Sequence, residues 1–315
     1  MNLDHAGTDA APVAARAATL PPATPYGGSP VPDGVAVVGL DVPVGRLTAL
    51  LAVPDGPVRG AALLVPGFTG SKEDFLPVLR PLADAGWLVL AYSRRGQPDS
   101  VMPVGRDAYA VEAEARDVLD VAALVRARLA PGLPVHLLGH SYGGIVTRAA
   151  VLADPTPFAS YTMFCSGPRG WALTDHLPDD RPATEEQALA ALHAQVAGAR
   201  AGVAAGLEAL DPAARFMTAR LADAALPGLE VGLLTLQTVP DTTDDLAAVT
   251  RAQGIPVHVV HGDGDDAWPI AWQRDMATRL GARYTVVPDA GHSAQADQPA
   301  ATAEAWSAFW AGASS

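Results

Sequence analysis

The chain has 315 residues, enough for one large α/β domain with an insertion or for two smaller domains, and its 49% of hydrophobic residues can fill a sizeable core. A formal net charge of −13 repels phosphate backbones and anionic lipid headgroups, which argues against a nucleic-acid partner and a membrane-surface partner. The one cysteine, Cys165, allows neither an intrachain disulfide nor a thiolate metal site, as expected of a protein in the reducing cytoplasm.

Residues 1–33 are rich in Ala, Pro, Gly and Thr and show no basic segment leading into an apolar run. They read as a mobile arm outside the core, not as a signal peptide. No stretch of ~18 apolar residues runs without a charge, so no transmembrane helix is expected. Residues 35–42 and 47–53 are apolar and β-branched and read as two strands. Residues 61–65 are apolar throughout and stop at Pro66-Gly67, the pattern of a strand buried on both faces of a parallel sheet. A helical pattern covers 72–85 and stops at Gly86.

The pair then repeats. Residues 87–92 read as a strand and 107–129 as a helix, with Val118, Val121, Ala122, Val125 and Leu129 on one face. A strand at 135–138 leads into a helix at 142–153, and 159–165 is again a strand. Much later come a strand at 257–261, a helix at 269–280 between Pro269 and Gly281, a strand at 283–287 and a closing helix at 300–310. Repeated strand-then-helix units imply an α/β fold with a doubly wound, mostly parallel sheet covered by helices on both faces.

The alternation breaks between 169 and 254, where the pattern is helical almost throughout. Such a length does not fit one strand-to-strand connection. The expected organisation is an arm at 1–33, a core at 34–168 and 255–315, and a helical cap at 169–254. Inside the cap, Asp211-Pro212 resembles an N-cap followed by a first-turn proline. Gly198, Gly202 and Gly206 fall four apart on one stripe. Each costs a helix interior ~1 kcal/mol relative to alanine, and the favoured use is close packing of a second helix rather than a bend.

The strongest chemical signal is Gly139-His140-Ser141-Tyr142-Gly143-Gly144, placed between an apolar strand and a helix. A serine in G-x-S-x-G at that junction sits on a sharp turn that lifts its Oγ out of the sheet, and a Cβ on the flanking glycines would clash there. A serine hydroxyl needs a base within hydrogen-bond reach. Of 8 histidines, His136 and His258 lie inside strand runs, His193 in the cap, His5 in the arm, and His140 packs under the turn. His292, in a loop after a strand near the chain end, is the candidate base. A carboxylate must then hold its tautomer. Asp263, Asp265 and Asp266 compete after the strand at 257–261; Asp265 is chosen, with Asp266 next, against the alternative that these acids only solvate a turn or bind a cation. The chain order Ser141, Asp265, His292, each after a strand, favours the catalytic use. The oxyanion donors would be the backbone N–H groups of Tyr142 and Phe68, since Pro66 has none and Gly67 lets the chain pass close to the substrate.

With these motifs the chain resembles the α/β-hydrolase superfamily over about residues 61–310, apart from the cap. The loop at Pro66-Gly67 is similar to the family's His-Gly. Ser93-Arg94-Arg95-Gly96-Gln97-Pro98-Asp99-Ser100 is similar to Asp-x-Arg-Gly-x-Gly-x-Ser, with Ser93 for the aspartate and Pro98 for the second glycine. The runs at 262–265 and 290–292 are similar to the acid and histidine motifs. The resemblance implies an eight-stranded sheet with one antiparallel strand near its start. It also implies an enzyme without metal or organic cofactor that cleaves a carboxylic ester, or a related acyl, amide, thioester or carbon–carbon bond, in a small-molecule substrate. Ser141 at the turn argues against the members that carry an aspartate there. Trp171, Phe216, Met217 and Trp268 are the candidate walls of the substrate pocket. A non-catalytic binding protein of the same fold is the remaining alternative; such descendants lose a triad member, and all are present here.

Overall fold

The computed structural model describes residues 9–171 and 184–314. In chain order the elements are α1 (Ala10–Ala17), β1 (Val35–Val42), β2 (Gly45–Ala52), β3 (Gly60–Val65), α2 (Leu76–Asp84), β4 (Trp87–Tyr92), α3 (Val111–Leu124), β5 (Val135–His140), α4 (Tyr142–Ala153) and β6 (Ser160–Phe164). After these come α5 (Glu185–Ala205), α6 (Pro212–Asp223), α7 (Leu226–Thr238), α8 (Thr243–Gln253), β7 (Val257–Gly262), α9 (Ile270–Leu280), β8 (Arg283–Val287), α10 (Ala294–Asp297) and α11 (Pro299–Ala313).

The eight strands form one sheet in the order β1-β2-β4-β3-β5-β6-β7-β8. β2 runs antiparallel to both neighbours, and every pair from β4 to β8 is parallel. Strict alternation along the strands divides the core. Ala61, Leu63 and Val65 of β3 and Leu88, Leu90 and Tyr92 of β4 face one hydrophobic cluster, which Val118 of α3, Ile145 of α4, Leu246 of α8 and Met276 of α9 complete. Ala62 and Leu64, and Trp87, Val89 and Ala91, face the other, filled by Leu79 of α2 and by Trp306 and Trp310 of α11. This is the doubly wound arrangement the sequence implied: strands apolar on both faces must be covered on both.

Three expectations need correction. Residues 9–33 do not hang free. Val13 and Leu20 are buried in the main cluster with Val38, Leu40 and Leu129, Pro22 bridges to Val38, and Tyr26 Oη donates to Asp223 of α6 at 2.7 Å while its ring meets Phe216 edge-on. Two well-spaced apolar residues dock a segment whose average composition reads as unstructured.

The expected cap also reaches too far. α5, α6 and α7 share a small cluster of Leu192, Val196, Ala224 and Leu229, with Phe68 against it. α8 instead sends Leu246 and Ala247 into the main core, and Asp241, just before it, and Asp244 within it pair with Arg279 of α9. Residues 172–183 of the expected insertion lie outside the described residues.

The glycine stripe does not serve close packing throughout. A Cβ on Gly198 would meet nothing within 4 Å, one on Gly202 would touch Thr218 at an ordinary 3.5 Å, and Gly206 ends α5 with φ +88°. Asp211 does cap α6, accepting from Ala214 N at 2.9 Å, with Pro212 in its first turn.

Candidate active site

β5 ends at His140, and α4 begins at Tyr142, so the chain reverses within a single residue. Ser141 takes φ 56°, ψ −124° to do this, a conformation L-residues avoid. Its N–H donates to Phe164 O at 2.9 Å and its carbonyl accepts from Gly144 N at 2.8 Å, so the strain is held from both sides. The flanking glycines are required sterically. A Cβ on Gly139 would overlap Thr147 and the Gly143 carbonyl, and one on Gly143 would overlap the Val65 carbonyl.

Three distant segments meet at this turn. His292 Nε2 lies 2.9 Å from Ser141 Oγ, and His292 Nδ1 lies 2.9 Å from Asp265 Oδ1. The Asp265 side chain is buried; Oδ1 also accepts from Ala267 N at 3.0 Å and Oδ2 from Gln273 Nε2 at 2.9 Å. Burial alone would raise its pKa, but His292, Gln273 and the Ala267 amide together outweigh that and hold the carboxyl below its usual range. Asp265 therefore stays ionised beside the imidazole. The two competing acids are elsewhere: Asp266 is exposed, and Asp263 accepts from Ala290 N at 3.2 Å, tying its own loop to that of His292.

His140 is fully enclosed under the turn. Burial, then the neighbouring His292, push its pKa down to about 3, so the ring is neutral. Its Nε2–H donates to the His292 carbonyl at 2.9 Å, and the two rings sit 5.1 Å apart. The residue next to Ser141 thus fixes the loop that carries the candidate base.

The loop after β3 passes directly beside Ser141. A Cβ built on Gly67 would stand 3.1 Å from Ser141 Cβ. Its carbonyls are anchored from behind. Arg94 Nε donates to Pro66 O at 3.3 Å, and Arg94 Nη2 to Gly67 O at 2.9 Å and Phe68 O at 3.1 Å. Gln97 Nε2 adds a bond to Gly67 O at 3.1 Å. The peptide is trans, so fixing the Gly67 carbonyl turns the Phe68 N–H to the opposite side. Arg94 also lies over the Tyr142 ring at 4.7 Å, and it is held by buried Glu114 of α3 at 2.5 Å. Tyr142 opens α4, where first-turn N–H groups have no intrahelical acceptor.

The run at 93–100 carries Arg94 and Gln97 as part of a family resemblance but assigns them no role, and nothing in the sequence marks Glu114 or Gln273. Arg95, in the same run, makes a two-pronged pair with buried Asp117.

Of the four candidate pocket walls, Trp268 is buried, 6.2 Å from the His292 ring and 5.4 Å from Trp171, and its indole N–H donates to Arg169 O at 3.0 Å. Phe216 packs on Tyr26 and Arg220. Met217 is half exposed on α6 and borders a cleft that Phe68 also lines. Among the described residues, His140, Cys165 and His292 bring three possible metal-ligand atoms within 4.8 Å of one another. His140 and His292 are committed to the bonds above, and burial keeps the Cys165 thiol protonated. No helix among the described residues is long and apolar enough to cross a membrane.

Comparison with known proteins supports the same grouping. The chain is 39% identical over 113 residues to the "Putative carbamate hydrolase RutD" of Variovorax paradoxus, a match spanning 34% of this chain and 39% of that protein. The chain thus spans well under half the length of that curated relative. Its structure is similar to that of a thermophilic esterase from Thermogutta terrifontis, with TM-score 0.66 at 20% identity, covering 89% of this chain and 99% of the other. It is also similar to a bromoperoxidase from Bacillus anthracis, with TM-score 0.68 at 16% identity, covering 87% and 99%. At these identities the two structural likenesses are likenesses of fold. A model of the alpha/beta hydrolase family matches residues 62–305, from β3 to α11 and across every segment that meets at Ser141. The chain belongs to the alpha/beta hydrolase family.

Proposed function

We propose that the protein is a serine hydrolase that cleaves the carboxylic ester bond of a small-molecule substrate through an acyl-enzyme. The observation that carries this reading is the relay of two 2.9 Å contacts from Ser141 Oγ to His292 and from His292 to Asp265. In this reading His292 Nε2 takes the Ser141 proton as Oγ attacks the ester carbonyl. Asp265, ionised, holds the proton on Nδ1 and stabilises the imidazolium. The N–H groups of Phe68 and Tyr142 receive the developing oxyanion; a preorganised donor of this kind is worth roughly 3–4 kcal/mol of barrier. His292 then protonates the leaving alcohol, and the same ring activates the water that releases the acid. No step calls for a metal or an organic cofactor.

Amide, thioester and carbon–carbon hydrolysis share this machinery, and pocket shape separates them. The test is a panel of p-nitrophenyl esters, an acyl thioester and an aminoacyl amide, offered to the wild type and to Ser141→Ala and His292→Ala. Ester turnover that falls at least about a thousandfold in both variants is expected. Turnover of the amide alone, with no ester cleaved, would replace the ester reading.

A further inference from the structure

A carboxylate can hold an imidazole only while it keeps its charge and one orientation, and each oxygen of Asp265 has its own anchor. Oδ1 faces His292 Nδ1 and also accepts from Ala267 N, two residues on in the same loop. Oδ2 is held from another element. It accepts from Gln273 Nε2 at 2.9 Å, eight residues along the chain and one turn into α9. Side chains of a helix lean toward its N-terminus, so Gln273 points back at the loop that carries Asp265.

The Gln273 amide is used at one end only. Its nitrogen also donates to Trp268 O at 3.4 Å, so its two hydrogens serve Asp265 and the backbone of the residue whose ring flanks His292. Its Oε1 is buried and has no hydrogen-bond partner among the described residues. Gln273 and the Asp265 side chain are both wholly buried, so bulk water cannot replace either group. For packing alone the amide is a poor choice, since an apolar side chain of the same length would fill the site without leaving an oxygen unpaired. What the amide adds is a donor, and that donor goes to the Asp265 oxygen that His292 leaves free.

We propose that Gln273 is a positioning residue for the proposed reaction: its bond to Asp265 Oδ2 holds Oδ1 against His292 Nδ1 and steadies the negative charge of the carboxylate. The inference rests on the serine-hydrolase reading above. Without the donor, the charge shared by His292 and Asp265 is less stable and the pair takes up a proton more readily. The acid limb of kcat/KM then moves to higher pH. The other titratable groups around the pair stay in place. His140 is neutral under the turn, and the Cys165 thiol at the end of β6 is protonated and bonded to the Asp265 side chain. Asp263 and Asp297 accept from the Ala290 and Gly291 amides, and Asp266 is exposed.

The experiment measures pH profiles of kcat and kcat/KM for a p-nitrophenyl ester, and of the rate of fluorophosphonate labelling of Ser141. The proteins are the wild type, Gln273→Met, Gln273→Leu and Met276→Ala. Both Gln273 variants replace the amide by an apolar side chain of similar size, a change that cores tolerate, and either one suffices. Met276, buried in the main core from the same helix, is the control for a loosened α9. In the Gln273 variants kcat should fall at least about tenfold at neutral pH with KM little moved, and the acid limb of kcat/KM and of labelling should rise by about one pH unit. Met276→Ala should melt lower and keep the wild-type limb. A limb that stays or falls in the Gln273 variants, or that rises equally in Met276→Ala, would overturn the positioning role and leave the serine-hydrolase reading standing. A wild type that cleaves no ester and leaves Ser141 unlabelled would overturn both.

Discussion

Ser141 is reactive in this account because the backbone leaves it no alternative. A serine in an ordinary helix turn could hydrogen-bond its own backbone. At φ 56°, wedged between glycines that admit no Cβ, its Oγ meets His292 instead. Asp265 sets which imidazole nitrogen carries the proton. Asp265→Asn should preserve the fold yet lower kcat by roughly 10³–10⁴, as read by ester kinetics at neutral pH; a loss under tenfold would show that the ring is oriented by something else. Gln97 tests the proposed oxyanion role of the loop after β3 more gently. Gln97→Leu removes one donor from the Gly67 carbonyl while Arg94 remains. Steady-state kinetics should show kcat down about tenfold with KM little moved, the pattern of a contact that matters in the transition state. An equal rise in KM would place Gln97 in substrate binding. Ser141, His292 and Asp265 were legible because each follows a strand in a set chain order. What Arg94, Gln97 and Glu114 hold was not: the run at 93–100 matches a family motif without saying what its side chains bind, and in a sequence the Arg94–Glu114 pair looks like any two surface charges.

The elements carry two lessons about what a pattern can say. Periodicity located α8, but not the surface it covers. Only its contacts, with Leu246 in the core and Asp244 on Arg279, separate it from α5–α7. Composition described residues 1–33 as an arm, yet Val13 and Leu20 are buried against β1 and its neighbours. Low average hydrophobicity hides two residues that dock a segment. Leu20→Ala should therefore cost about 2–3 kcal/mol in urea unfolding, within the range for a large-to-small change at a buried site. A cost below about 0.5 kcal/mol would return the segment to a loose arm.

At the scale of the whole molecule, the sheet holds histidines that are buried and neutral. Burial pushes His136, His140 and His258 down to about 3. An unfolded histidine titrates near ~6.5, so between those values the unfolded chain binds protons that the folded chain refuses. Stability is therefore lost as pH falls through that window, by about 1.4 kcal/mol per pH unit for each histidine. His258 is the simplest to remove: it sits on β7 beside Thr285, away from Ser141. His258→Gln should flatten the slope of unfolding free energy against pH by about 1.4 kcal/mol per unit between roughly pH 4 and 6, measured by denaturant titration. Identical slopes in the two proteins would mean that the ring is protonated in the folded state.

The proposed function turns on one covalent event, acylation of Ser141. The most direct measurement is an acid quench within the first turnover of a p-nitrophenyl ester, followed by mass mapping of the digested protein. The acyl mass is expected on the peptide that carries Ser141, with no adduct there in Ser141→Ala. An adduct on another residue, or full turnover by Ser141→Ala, would contradict it.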